Sequence, residues 1–512
     1  MLRLETAAHG TKDAVTVLPR GASPLAAVLN AAVGVVMVAA LAATAGVVLV
    51  LVLEHVSVST NAVLASTTIA VAMYPLVKRM ATHSFDPFEP IVAASVILAL
   101  LFGIRPLSMM ITEAVSYRGL NIESQLTTST VLGLLGTLAF VVAYESLIRI
   151  RQHESPRRRR RHVHPNTVYL YAIIVSILGF VLFAAHLSIG GSIVETAKLL
   201  ASGRSETLAD LYSNSSEYLS AAPILVAVGG IVTVIVAGRR VSKAQFMLVL
   251  LAIAFPVVVF FLIGNRRFVI PSIAIPVVAY YLAVHRRPSA KQLLLIVPIA
   301  FVVLATIPFA RSSGAQEQAG GSVPLYRQGF ASPVDSWKRF ITGPDTSMFS
   351  ALAVEVEVLS ETSDFAYGRA TLGDLVLAPI PSRLFPGKPV TARNEMLGKA
   401  FGGPCRAIGG VCDDFSVIGT FYQDFWYAGV VAGMVLLGAG SAWIWRRYLA
   451  AKGDPFTVLL AATWTVFLPI IIRAGFMPSF AWFLYFLLPS LLGLWLAKAT
   501  NGAPPGLQEA DI

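Results

Sequence analysis

Two groups of basic residues lie where cationic side chains would act on a phosphorylated substrate. Arg266 and Arg267 follow a Gly-Asn pair in a tight turn between two long apolar stretches. The second group, Arg383 and Lys388, lies in a segment that prolines at 379, 381, 386 and 389 make stiff and extended. Guanidinium groups bind phosphate oxygens in pairs, and fixed cations stabilise a departing diphosphate. We therefore predict a diphosphate site made of Arg266, Arg267, Arg383, Lys388 and Arg473. The alternative to a diphosphate site is that these basic side chains only extend to lipid headgroups or water.

Acidic and aromatic residues supply the other parts of a transfer site. Three acidic residues, Asp413, Asp414 and Asp424, lie just before or near the start of the next apolar span. Capping of that helix, or pairing with the arginines, is a structural role open to them. Aromatic faces cover the apolar side of a sugar ring, and anchoring at the membrane interface is the alternative for them. The candidate sugar-binding residues are Tyr326, Arg327, Trp337 and Tyr422. The segment has no HExxH, CxxC or DxD pattern, so neither a metal nor a cofactor is expected.

The elements that must hold these residues are membrane helices. The chain has 512 residues, 56% hydrophobic and 13% charged, and its mean hydropathy is +0.72. Soluble domains carry about 25% charged residues, so we predict an all-α polytopic membrane protein. About 20 apolar residues cross a bilayer as a helix. On that rule there are about twelve transmembrane helices, at 25–53, 60–77, 90–110, 128–148, 167–189, 221–238, 245–264, 268–284, 292–310, 417–444, 455–472 and 476–497.

Lysine and arginine accumulate in cytoplasmic loops, and the loops after alternate spans are basic in this chain. With both termini in the cytoplasm, the basic stretches at 78–79, 149–161, 239–243, 286–291 and 446–452 all lie inside. The arginine run at 157–161 is then a cytoplasmic anchor and not a nucleic-acid-binding patch. The predicted divisions are a tail at 1–24, helices one to nine at 25–310, an external domain at 311–416, helices ten to twelve at 417–497 and a tail at 498–512.

The external domain between spans nine and ten is the one long hydrophilic stretch, and we expect short helices in it. A helix is predicted at 347–361, with Glu355 and Glu357 on its flank, and a second apolar helical turn at 372–380. The two cysteines of the chain, Cys405 and Cys412, are also in this domain. They are expected to pair across a short loop if the domain faces an oxidising compartment, and two reduced thiols are the alternative.

Three short motifs follow one another along the chain. A Gly-x-Arg-Arg-Phe hairpin lies at 264–268, a Pro-x-Arg-x-x-Pro-x-Lys-Pro turn at 381–389, and Ile418-Gly419 with the sequence YQDFWYAG at 422–429 opens the next span. Their order, over roughly residues 260–440, resembles the Wzy-type O-antigen polymerase family of oligosaccharide repeat-unit polymerases. Many members carry Gly-Glu where this chain has Gly419-Thr420, so no catalytic glutamate is carried over to that position.

The resemblance implies a glycosyltransferase in the bacterial cytoplasmic membrane, with the external domain on the outer face. A polyprenyl-diphosphate-linked oligosaccharide is the donor, and a hydroxyl of a second lipid-linked unit attacks its anomeric carbon. Polyprenyl diphosphate leaves, and no metal is needed. The implied mechanism also uses a base that takes the proton of the attacking hydroxyl, for which the candidates are Asp413, Asp414 and Asp424. The implied partners are the donor, the acceptor and membrane lipid, with a chain-length regulator or a flippase as protein partner.

Three other functions fit parts of the sequence. A ligase-like glycan transferase needs an external histidine, for which the chain has His55 and His186. A polyprenyl-phosphate-sugar transferase usually has acidic residues in a sizeable first external loop, which here is a few residues around Glu54. A lipid-linked oligosaccharide flippase would show charges in mid-span and repeat symmetry between its halves, and neither pattern is visible in the sequence.

Overall fold

The computed structural model describes residues 60–111, 116–117, 119–149, 163–189, 219, 221–238, 242–262, 266–289, 292, 346–377, 380, 385, 387–401 and 415–498. Fourteen α-helices lie in these residues: α1 (Thr60–Ala81), α2 (Pro90–Ala99), α3 (Arg105–Ile111), α4 (Leu126–Arg149), α5 (Pro165–Ile189), α6 (Pro223–Ala237), α7 (Lys243–Leu262), α8 (Arg266–Ala283), α9 (Met348–Thr362), α10 (Asp374–Leu377), α11 (Ala392–Phe401), α12 (Val417–Ala450), α13 (Pro455–Ala474) and α14 (Phe476–Leu496).

Irregular turns and one hairpin complete the described structure. A π-helical turn, Leu100–Ile104, joins α2 to α3, and a second, Arg369–Gly373, leads into α10. A 3-10 turn, Glu123–Gln125, leads into α4. The antiparallel strands β1 (Ser116–Tyr117) and β2 (Leu120–Asn121) lie between α3 and α4.

Helices long and apolar enough to cross a membrane make up most of the described chain. Seven stretches qualify: Thr60–Ala81, Pro90–Ile111, Glu123–Ile148, Pro165–Ser188, Val417–Ala450, Pro455–Ala474 and Ser479–Leu496. Three shorter apolar helices are Pro223–Ala237, Gln245–Phe260 and Arg267–Ala283. Ten of the twelve predicted spans coincide with these stretches, whereas 25–53 and, apart from residue 292, the span at 292–310 lie outside the described residues. The chain is therefore a mostly helical, multi-pass membrane protein, and the count of twelve stays a prediction.

The bundle is organised around a close parallel pair, α4 and α12. Gly438 of α12 lies against the backbone carbonyl of Phe140, where an added Cβ would collide with the oxygen. Small residues at such crossings let two backbones approach, which favours helix association inside a membrane. Trp464 of α13 donates its indole N–H to the hydroxyl of Ser441 at 2.9 Å, so a third helix is fixed to the pair.

One end of the bundle, termed the basic end, is held by buried ion pairs. Arg79 at the end of α1 donates to both oxygens of Glu89, the cap of α2, at 2.7 and 2.8 Å, and also pairs with Glu145 of α4. Lys78 pairs with Glu145 as well, and the Tyr144 hydroxyl donates to Glu89 at 3.0 Å. Because charges buried near lipid require partners, this network fixes α1, α2 and α4 to one another.

The other described basic loops reach the same end. Arg287, which follows α8, pairs with Asp86 in the turn between α1 and α2. Arg446 of α12 donates to the carbonyl of Leu147 in α4 at 3.2 Å. The basic stretches at 78–79, 286–287 and 446–447 thus share one end, as the alternation of spans requires.

The opposite end, termed the loop end, carries the described part of the predicted external domain. Helix α9 confirms the helix expected at 347–361, and its side chains are packed from 348 to 356. The Ser350 hydroxyl lies 3.5 Å from the sulfur of Met109 in α3. Tyr117 of the hairpin contacts Phe401 of α11, with ring centroids 6.4 Å apart. The domain limits predicted at 311 and 416 are not tested, since 293–345 and 402–414 lie outside the described residues.

Candidate active site

Helix α12 is broken near its loop end. The backbone leaves the helical region at Phe425 (φ −145°, ψ 33°) and at Trp426 (φ 57°, ψ −146°), which separates a short first part from a longer second part. A non-glycine residue in such a conformation costs about 1–3 kcal/mol. At the break, the carbonyls of Gln423 and Asp424 accept the N–H groups of Ala366 and Tyr367 at 2.8 and 3.1 Å. The segment that begins at Ala366 therefore stabilises the broken helix.

The side chain of Asp424 completes this junction. Its Oδ1 accepts the N–H groups of Gly368 and Ala370 at 3.0 and 2.9 Å. Its Oδ2 accepts the N–H and the hydroxyl of Thr371 at 3.0 and 2.6 Å. Hydrogen bonds to a charged group contribute about 1.5–3 kcal/mol each, and the residue is only 1% exposed. This geometry favours a role in holding the 368–371 turn over a role as an open base.

A second carboxylate, Glu355 of α9, is fully buried beside the first turn of α12. Among the described residues, neither of its oxygens has a hydrogen-bond partner. It packs against Gly419, where an added Cβ would collide with Oε2. Burial, and next the charge of Asp424, raise the pKa of Glu355 well above its usual range, which favours the protonated form. The expected flank position of Glu355 is wrong, because α9 is packed all round at this level.

A narrow polar cleft lies beside the first part of α12. Its lining side chains come from several elements of the loop end: Ala370, Asp374, Arg393, Phe415, Thr420, Gln423 and Met477. The cleft has a free volume of about 20 Å³, which is the space of a single water molecule. It must therefore widen before it can admit a phosphate group or a sugar.

Hydrogen bonds fix the polar wall of the cleft. Asp374 accepts the N–H of Ala392, the first residue of α11, at 2.9 Å, and Gln423 donates to the Ala392 carbonyl at 3.0 Å. Burial raises the pKa of Asp374, although the Ala392 N–H opposes this effect. Arg393 follows Ala392 and lines the cleft. A guanidinium beside amide and hydroxyl groups is a set that binds phosphate and sugar oxygens.

Two of the predicted diphosphate ligands lie at the loop end of the transmembrane helices. Arg267 is in the first turn of α8, and Arg473 is in the last turn of α13. Next to Arg267, Phe268 contacts Trp482 near the start of α14, with ring centroids 4.5 Å apart. The beginning of α8 is therefore a neighbour of the first turns of α14.

The other predicted cations belong to the start of α8 and to the proline-rich turn. Lys388 donates to the carbonyl of Ile380 at 3.0 Å and so braces that turn. Its positive charge also acts on the buried Asp374. Arg266 is the first residue of α8, and only its backbone belongs to the described part of the chain. Arg383 lies outside the described residues.

Most of the remaining predicted residues also lie outside the described ranges, and their roles stay predictions: Asp413, Asp414, Tyr326, Arg327, Trp337, Cys405 and Cys412. Tyr422 is described, and it is buried. Its ring packs against Phe365 and Tyr427, with centroids 6.2 and 5.8 Å away. In this arrangement protein covers the Tyr422 ring, so a sugar would reach it only after the loop end opens.

Sequence reasoning missed a set of ion pairs that stiffens the loop end. Arg369 pairs with Glu395 of α11, and Lys399 pairs with both Asp364 and Glu395. The hydrogen bond from Lys399 lowers the pKa of Asp364, and that from Arg369 lowers the pKa of Glu395. Partners 26 and 35 residues apart leave no local signal in the sequence. The Glu395–Lys399 pair, at helical i,i+4 spacing, was the one that a pattern could have revealed.

Comparison with known proteins gives one match. The family model described as O-antigen polysaccharide polymerase Wzy matches residues 41–327, which is more than half of the chain. The match includes the hairpin at 264–268 and ends before the proline-rich turn at 381–389. No curated protein matches the chain, and no solved structure does.

Proposed function

The chain belongs to the O-antigen polysaccharide polymerase Wzy family, and on that premise we propose that it polymerises lipid-linked oligosaccharide repeat units. In this proposal the protein is a membrane glycosyltransferase that acts on polyprenyl-diphosphate-linked donors and acceptors. It works at the outer face of the bacterial cytoplasmic membrane without a metal ion. Cationic side chains stabilise the polyprenyl diphosphate as it leaves.

The proposed reaction joins two lipid-linked units. A hydroxyl oxygen of the acceptor forms a bond to the anomeric carbon of the donor, and the bond from that carbon to the diphosphate oxygen breaks. The hydroxyl proton passes to a base. Negative charge grows on the diphosphate in the transition state, and fixed cations at that position lower the barrier. We assign this role to Arg266, Arg267, Arg383, Lys388 and Arg473, and we add Arg393.

The proposed orientation rests on the two ends of the bundle. Lys78, Arg79, Arg287 and Arg446 lie at the basic end. Because lysine and arginine accumulate on the cytoplasmic side, we assign that end and both termini to the cytoplasm. The loop end, with its cleft, then faces the outer leaflet.

One observation supports the loop-end cleft as the reaction site above others. Arg393, Thr420 and Gln423 line a single cleft at the end of the bundle where Arg267 and Arg473 also lie. We propose Asp413 and Asp414 as bases, since they directly precede Phe415 in the cleft wall. Asp424 is proposed to position the 368–371 turn. Tyr326, Arg327 and Trp337 remain the proposed sugar contacts, with Tyr422 after opening.

The test uses purified protein in lipid nanodiscs and a defined polyprenyl-diphosphate-linked oligosaccharide, with products separated by size. We expect a ladder of lipid-linked oligomers and release of polyprenyl diphosphate, with or without EDTA. One charge-stabilising group contributes about 2.7–4 kcal/mol to such a barrier. Arg393→Ala and Arg473→Ala should therefore lower the rate by about 100-fold or more. Arg286→Ala, at the exposed basic end, serves as the control and should keep the wild-type rate.

Other outcomes point to other functions. Transfer only to a final acceptor that carries no polyprenyl diphosphate would favour the ligase-like alternative. Of the two histidines available to that alternative, His55 lies outside the described residues, and His186 is buried beside Phe183 at the end of α5, with ring centroids 6.2 Å apart. Transbilayer movement of the substrate without any change in its size would favour a flippase. Equal rates for the Arg393, Arg473 and Arg286 variants would reject the cation site.

A further inference from the structure

The turn that docks on the broken helix presents large apolar side chains outward and buries the polar residues Thr371 and Asp374. In residues 365–377, termed the lip, Leu372 and Val376 are 66% and 69% exposed and lie about one helical turn apart. Ala370 and Asp374, also about one turn apart, are buried and line the cleft. A surface helix in water has the opposite arrangement. This inverted pattern is typical of a segment whose outer face lies against lipid.

The charged residues of the lip have partners elsewhere in the protein. Asp374 accepts the Ala392 N–H at 2.9 Å, and Arg369 pairs with Glu395. These are the two charged positions in 365–377. The outward face formed by Leu372 and Val376 is therefore apolar over a full helical turn.

The exposed face of the lip continues the lipid-facing surface of α12. In the second part of α12, large apolar side chains are exposed at helical spacing: Val431, Val435, Leu436 and Trp443. Phe425 and Trp426, at the break of the same helix, are also exposed. Tyr367 of the lip, 73% exposed, contacts Phe425 with ring centroids 6.4 Å apart. One apolar surface thus runs from α12 onto the lip.

Two tryptophans give the depth of this surface in the bilayer. At 1.5 Å per residue, Trp426 and Trp443 are about 25 Å apart along the helix, close to the about 30 Å of a hydrocarbon core. Tryptophan is enriched at both membrane interfaces. The Arg447 guanidinium lies 4.5 Å from the Trp443 ring, a pairing suited to one headgroup layer. Trp426 then marks the other layer, and the lip docks at that depth.

We propose that the lip lies in the headgroup–acyl boundary of the leaflet at the loop end, with Tyr367, Leu372 and Val376 in contact with membrane lipid. Its inward face lines the cleft, so the cleft lies at headgroup depth and a substrate with a membrane-bound tail can reach it without leaving the bilayer. The lipid contact is independent of the reaction proposed above, because it concerns only where the protein meets the membrane.

Nitroxide labels on the lip test this placement in nanodiscs. Leu372→Cys and Val376→Cys are labelled separately after the native cysteines have been replaced by Cys405→Ser and Cys412→Ser. Collision with oxygen, which concentrates in lipid, is compared with collision with a water-soluble nickel chelate. Leu436→Cys on α12 is the lipid control, and Glu361→Cys at the exposed end of α9 is the water control. We expect an oxygen-to-nickel ratio for both lip labels several-fold above that at 361.

Two results would overturn the proposal. If the oxygen-to-nickel ratios of the lip labels equal that at 361, the outward face of the lip lies in water. Such a face could bind a soluble glycan but would not contact lipid. Low collision with both reagents would mean that protein, such as a second copy of the chain, covers it. If a labelled variant is not monodisperse, benzoylphenylalanine at Leu372 replaces the label. A covalent lipid adduct there, as at Leu436, supports the placement, and an adduct at Leu436 alone contradicts it.

Discussion

Replacing Asp424 by asparagine tests whether its carboxylate holds the lip or acts on the substrate. The remaining amide oxygen of Asp424→Asn can still accept the N–H groups of Gly368 and Ala370. At the other position an NH₂ group would face the Thr371 N–H, which now donates to Oδ2 at 3.0 Å. Two donors cannot satisfy each other, so the variant loses the bond from the Thr371 N–H, whereas its NH₂ group can donate to the Thr371 hydroxyl, which lies at 2.6 Å and can accept.

The free-energy cost of Asp424→Asn follows from the hydrogen bonds that the substitution removes or weakens. Each hydrogen bond to a charged group contributes about 1.5–3 kcal/mol, against about 0.5–1.5 kcal/mol for a neutral one, so the one lost bond and the three weakened bonds together cost about 4–7 kcal/mol at this junction. Thr371→Val removes the hydroxyl bond alone and should cost about half as much. The strain at Trp426, about 1–3 kcal/mol, is then opposed by fewer contacts. We therefore expect the lip to detach locally before the bundle unfolds.

Limited proteolysis in nanodiscs measures this detachment. Cleavage within 365–377 should be more than tenfold faster in Asp424→Asn than in the wild type, since about 1.4 kcal/mol corresponds to each factor of ten in the open population. Thr371→Val should lie between them. Wild-type cleavage rates combined with a loss of polymerisation would refute the reasoning and show that the carboxylate acts on the substrate.

Two further predictions concern buried ionisable residues, Glu355 and Arg79. Glu355 has a raised pKa in the fold, so its contribution to stability is complete below the usual carboxyl pKa and is lost as pH rises towards the raised value, by up to about 1.4 kcal/mol per pH unit. Thermal unfolding at pH 5 and pH 8 should show this loss in the wild type but not in Glu355→Gln, and equal slopes would contradict it. Arg79→Met leaves Glu89 unpaired and should destabilise the bundle by about 3–5 kcal/mol. Lys78→Met, at a more exposed side chain, should cost less, and similar midpoints for both variants would argue against the network.

The sequence was sufficient for the helices and not for their irregularities. Apolar length located the described spans, and residues 347–361 gave a helix by periodicity. The break at Trp426 carried no such signal, because neither Phe425 nor Trp426 is a helix breaker like glycine or proline. Its cause lies in hydrogen bonds from residues 53 to 56 positions earlier in the chain. Contacts over such separations cannot be inferred from local pattern.

Only part of the candidate site could be predicted, because its other residues are brought together by contacts between distant parts of the chain. Arg267 and Arg473 stood out because charges at outer span ends are sparse, and both lie at the loop end. Glu355 was recognised as acidic, but periodicity alone could not tell that neighbours cover every side of α9. Arg393 follows Arg383 and Lys388 closely in the sequence, yet its place in the cleft depends on how Asp374 and Gln423 hold the start of α11.

The Arg79 network has a consequence for the order of biosynthesis. Its second carboxylate, Glu145, is 66 residues further along the chain. At about 5–20 residues per second, the ribosome delivers it about 3–13 seconds after Arg79. During that interval Arg79 has Glu89 alone, so we expect the pair of helices α1 and α2 to stay with the insertion machinery until α4 arrives. Nascent chains truncated before and after residue 145 can be tested for crosslinks to the translocon. We expect the shorter chain to form these crosslinks and the longer chain to lose them.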